Sequence, residues 1–157
     1  MHSLLLRLLI TESLQESTAG ATIIFQTGEK GRLSRNHKDY QSHLLLLQRS
    51  VERQHPVGVR IGSTGEIAEI VRANNDFVAF LTEESENTVK VGFHGHDGIA
   101  YLERQHPRFD TIERDLQRSL KEKKRIWFVW RLPWLMLEDV MLVEEDVGAT
   151  GTKERLP

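Results

Sequence analysis

Hydrophobic and polar positions along the 157-residue chain fall into short alternating runs, interrupted twice by a longer helical pattern. In "TVKVGF", Val89, Val91 and Phe93 take one side while Lys90 and Gly92 take the other, which is the period of a half-buried strand. After Pro107, the residues Phe109, Ile112, Leu116 and Leu120 recur at the spacing of one buried helical stripe, with Pro107 suited to the first helical position. "KDYQSHLLLLQRSVE" supplies a second helix. The pattern predicts strands near 5–11, 22–26, 32–34, 57–61 and 66–72, then near 77–82, 88–93, 99–102, 126–131 and 135–143. Each helix falls between the third and fourth strand of its group of five. The intervening "TGEKG", "GSTG", "ANND" and "HGHDG" carry the Gly, Asn and Asp that tight reversals use.

Two exact matches test whether the chain is built from two copies of one unit. "ERQHP" begins at Glu52 and at Glu103, but the first copy closes a helix and the second closes a strand. "LQRS" begins at Leu47 and at Leu116, and its surroundings agree on both sides. Leu33 then falls on Leu102, Arg35 on Arg104, His37 on His106, Tyr40 on Phe109 and Glu69 on Glu138. The expectation is an α+β chain made by internal duplication of a β-β-β-α-β-β unit, mainly antiparallel sheet with one helix per repeat. The repeats span 1–72 and 73–144, with a flexible tail over 145–157. Because "ANND" is hairpin-sized, the last strand of repeat 1 is expected to pair with the first of repeat 2, in one compact body with pseudo-twofold symmetry. The order strand, strand, strand, helix, strand, strand also resembles that of the OB-fold. That resemblance implies the alternative of two tandem OB-like barrels.

Composition narrows the function classes. There is no cysteine, which removes disulfides and thiolate chemistry, and the net charge of -2 provides no bulk attraction to nucleic acid or an anionic membrane. The opening "MHSLLLRLLITES" superficially resembles a signal peptide, yet Arg7 breaks its apolar stretch and no small-residue cleavage site follows closely. No run reaches the length of a bilayer span. The chain is therefore expected to be cytoplasmic, without a membrane partner and without a cofactor.

Candidate chemistry is sorted by comparing the repeats with each other. Positions shared by both are expected to serve the common frame. Arg35 with Glu69, and Arg104 with Glu138, are expected ion pairs. His37 and His106 stand where each helix begins, suited to satisfying an orphan amide; no nucleophile or carboxylate repeats beside them, so no catalytic residue is assigned. Unshared positions are the candidates for function. "HGHDG" offers His94, His96 and Asp97, similar to the His-x-His-x-Asp-His ligand run of metallo-hydrolases but shorter in spacing and without the final His, so no metal site is assigned. Leu44, Leu45 and Leu46 replace the polar Glu113, Arg114 and Asp115 of the second helix and are expected to form an outward apolar face that something covers. All three tryptophans, Trp127, Trp130 and Trp134, lie in "IWFVWRLPW". With the leucines they are the expected interface for a homodimer or other protein partner. Lys123, Lys124, Arg125 and Arg131 around them make a nucleic-acid contact the alternative. The sequence thus points to a non-enzymatic binding or scaffolding protein. Single-stranded nucleic-acid binding is the second reading and a metal-dependent hydrolase the third.

Overall fold

The computed structural model describes residues 5–144 and is α+β, with two sheets and two helices. The first four residues of the leader-like stretch and the expected tail over 145–157 lie outside the described residues. The chain divides into two compact units after Asn74.

The first unit contains β1 (Arg7–Ser17), β2 (Gly20–Phe25), β3 (Lys30–Ser34), α1 (Tyr40–Arg53), β4 (Pro56–Ile61) and β5 (Ile67–Arg72). Its sheet runs β3-β2-β1-β4-β5 with antiparallel neighbours throughout. A single parallel bridge, Arg32 to Glu66, links β3 to the residue preceding β5. Alternation along these strands turns Ile23, Phe25, Leu33 and Val59 inward, where Leu47 of α1 meets them. Each such side chain contributes about 1.5–3 kcal/mol by leaving water.

The second unit contains β6 (Asn74–Ser85), β7 (Thr88–Phe93), β8 (Ile99–Glu103), α2 (Phe109–Glu122), β9 (Arg125–Arg131) and β10 (Met136–Leu142). Here the strands close into a barrel in the order β10-β8-β7-β6-β9. An antiparallel β9–β10 ladder completes the ring, and β10 meets β8 in parallel at Met136 and Tyr101. Val91, Leu102, Ile112, Leu116, Ile126 and Phe128 fill it.

Three sequence expectations are corrected. β5 and β6 follow one another with only Ala73 between them but lie in different sheets, because β6 has both edges taken by β7 and β9. Pro107 precedes the cap residue Arg108 rather than opening α2, because the chain from His106 is still turning. Leu120 is exposed in the last turn, and the buried place beside it belongs to Ser119.

Ser119 belongs to a set of contacts that occurs once in each unit. Ser50 Oγ accepts the Thr11 amide and donates to His55 O, while Ser119 Oγ accepts the Val78 amide and donates to Lys124 O. Gln54 and Lys123 end the helices in the left-handed conformation, each returning its amide to the serine carbonyl. At the other helix end, His37 Nδ1 accepts the Asp39 amide and Nε2 donates to Ala68 O. His106 does the same with the Arg108 amide and Glu138 O. Ala68 and Glu138 sit where the β4–β5 and β9–β10 registers slip by one residue, so each imidazole ties a bulge to a helix start. The anticipated arginine pairs do not form. Arg35 donates to Ser17 O and Thr18 O and lies over the Tyr40 ring, while Glu69 is held by Arg60. Arg104 pairs with Glu83 and lies over Phe109. In both units the arginine reaches back to the first hairpin, because its own backbone is anchored there by Ala19 O or Asn87 O.

Candidate binding site at one end of the second unit

Two strings absent from the first unit, "HGHDG" and "RLPWL", meet in the second. The β7–β8 turn carries His94 to Gly98, and the β9–β10 loop carries Leu132 to Leu135. A Cβ added at Gly98 would lie 2.4 Å from Leu135 Cδ1, so a side chain there would oblige the Leu135 side chain to shift. The Tyr101 amide donates to Leu135 O at 3.0 Å, pinning the loop to β8.

Asp76, at the start of β6 and only 5% exposed, holds the turn from beneath. Its carboxylate accepts the amides of Phe77 at 2.6 Å and Gly95 at 2.7 Å, and meets His96 Nδ1 at 2.5 Å. Burial is the largest influence on this carboxyl and acts to raise its pKa. His96 and the two amides together outweigh burial and hold it below the ordinary aspartate value, so it stays ionised. The carboxylate fixes a proton on Nδ1 of His96 and leaves Nε2 as its other functional atom. The imidazole stands edge-on to Phe93, Phe128 and Trp130, and Phe93 stacks on Phe128 at a centroid distance of 4.0 Å. Beside this supported dyad the loop is bare, with Leu132 68% and Trp134 74% exposed.

The three tryptophans therefore have different surroundings. Trp130 packs against the core of the second unit, Trp127 is half-buried, and Trp134 stands out on the loop. The leucines also separate. Leu44 is buried in the core of the first unit and Leu46 packs partly against it, which leaves Leu45, 46% exposed, as the outward one. The expected three-leucine face is thus reduced to one residue, because Leu44 and Leu47 share the inward side of α1.

The basic residues are divided too. Lys123 and Arg125 lie near the start of β9 and Arg131 at its far end, about 20 Å away for a strand of this length. Lys124 is engaged by Glu122 and Glu144, and Arg125 lies over Phe77 and donates to Asn75. Only Arg131 adjoins the exposed loop. Nor does the turn gather its three candidate ligands, since His96 goes to Asp76 while His94 and Asp97 are exposed. Among the described residues, the grouped metal-ligating side chains are instead His37, Asp39 and His43 of the first unit. The sequence contained a signal for the dyad, an aspartate in a buried strand start, but its partner lies 20 residues away.

No family model, curated protein or solved structure matches the chain. Among the described residues, no helix is long and apolar enough to cross a membrane.

Proposed function

We propose that the chain is a non-enzymatic binding protein, an internally duplicated pair of OB-type units, the first an open sheet and the second a closed barrel, that engages a protein partner through the end of the second unit. The OB assignment is supported by the strand order, in which the first strand lies between the second and fourth and the fifth approaches the third in parallel. Duplication is supported by the paired serine and histidine contacts. The observation that carries the binding reading is the exposure of Trp134 and Leu132 on a short loop, where the first unit has "GSTG". An aromatic ring and a leucine beside an arginine are typical anchors of a protein contact. A non-enzymatic role accords with His37 and His106, whose ring nitrogens are all committed to backbone partners.

The partner to test first is a second copy of the chain. Light scattering of the wild type should give twice the 18.1 kDa chain mass, and Leu132→Ser with Trp134→Ser should return the single-chain mass. A wild type at the single-chain mass would remove self-association. Single-stranded nucleic acid is the second reading, favoured by Trp134 beside Arg131 on the loop between the fourth and fifth strands, a binding loop in OB-type barrels. Mixed oligonucleotides would then quench tryptophan fluorescence with steep salt dependence. Absence of quenching at low salt eliminates it.

A further inference from the structure

We propose that His37, Asp39 and His43 at the start of α1 bind one divalent transition-metal ion of the zinc type. Their ligand atoms lie within 4.8 Å of one another, and two imidazoles with a carboxylate suit such ions. Three observations single out this cluster. His43 is 7% exposed, and its Nδ1 is buried without a hydrogen-bond partner. Asp39 stands at the cap position of α1, yet its carboxylate makes no capping bond. His37 donates from Nε2 to Ala68 O, the outer bond that fixes a ligating histidine, and its Nδ1 lone pair is held only by the Asp39 amide at 3.0 Å.

The second unit shows that the frame does not require this set. His106 repeats the bonds of His37, but Arg108 stands where Asp39 does and Ile112 where His43 does, and α2 begins with nearly the same cap dihedrals. Asp39 and His43 are therefore additions to a helix start that is complete without them. His43 Nε2 accepts the Ile70 amide at 3.2 Å, which places the proton on Nδ1. Metal binding moves that proton to Nε2, so the Ile70 bond is given up. The Asp39 amide likewise yields His37 Nδ1 to the ion.

The test is zinc titration of the full chain after chelator treatment, with amide hydrogen exchange read in parallel. The expected result is one zinc per chain, with faster exchange at Ile70 and Asp39. Asp39→Ala, at an exposed side chain with no bond to lose, should weaken binding by about tenfold or more. His43→Gln, which can still accept the Ile70 amide, should do the same. Absence of binding overturns the proposal, as does binding that survives both substitutions. Binding abolished instead by His94→Ala with His96→Ala would overturn it in favour of the β7–β8 turn.

Discussion

The two units share a frame and differ in what is added to it. Because Thr11 and Val78 donate to equivalent helix serines, Leu9 is the counterpart of Asp76. The first unit fills that place with a buried leucine, and the second with an ionised aspartate that needs a histidine and two amides to be tolerated there. The frame forms either way. A buried charge with an apolar counterpart at the same position of the same chain is not a requirement of folding. Asp39 and His43 of the first unit likewise have no like counterpart in the second, where Arg108 and Ile112 stand. These unmatched polar groups lie at a helix start in the first unit and at a turn in the second, and the second unit also pairs Arg108, at the place of Asp39, with the buried Asp139.

The largest difference between the units is expected at α1. Leu44→Glu installs the residue that α2 carries at the matched position, but places it in a core, and should cost at least about 3 kcal/mol in chemical denaturation. A neutral result would mean that Leu44 is not held in the core of the first unit. Ser50→Ala and Ser119→Ala should each cost about 2 kcal/mol, since each strands one buried amide and one carbonyl. Unequal losses, measured by urea unfolding, would show that the serine contacts are not equivalent.

Asp76→Asn comes next, at about 1.5 kcal/mol near neutral pH. The folded-state pKa of Asp76 lies below the ordinary 3.8, so its contribution is complete above that value and is lost as pH falls through the lower folded value. The difference between variant and wild type should therefore shrink below about pH 4. A difference that stayed constant to pH 2 would mean the carboxylate does not titrate as described. The smallest effect belongs to Leu45→Arg, which copies Arg114 of α2 onto an exposed position and should change stability by no more than about 0.5 kcal/mol.

Much of the frame was legible in the sequence because apolar periodicity reports burial. All ten strands and both helices fall in the order read from it, and Val89, Val91 and Phe93 are buried together as their alternation requires. The outer arms of β1 and β6, running to Ser17 and Ser85, went unread because exposed ladder residues such as Glu16 and Glu84 carry no hydrophobic signal. Leu44 was misplaced for a different reason. Its polar counterpart Glu113 suggested an outward face, whereas Tyr40, Leu44 and Leu47 already traced an inward stripe. The site was less legible still. Asp76 with His96, and His43 with Ile70, join residues far apart in sequence, and nothing in a polar residue's own neighbourhood reveals such a partner. Ser50 and Ser119 were in view inside the repeated "LQRS", but their bonds reach the first strand of each unit.

The seam between the third and fifth strands has a consequence for association. In the second unit the barrel is closed, so its strands offer no free edge to another chain. In the first unit the sheet ends at β3 and β5, joined by one bridge and by Arg32, which reaches Glu66 and Thr64 O. An edge of this kind is a template for cross-chain strand addition. Lys30 and Arg32 place charge along β3, a gatekeeping arrangement that discourages such growth. Neutralising them would remove that guard from the edge of the first unit.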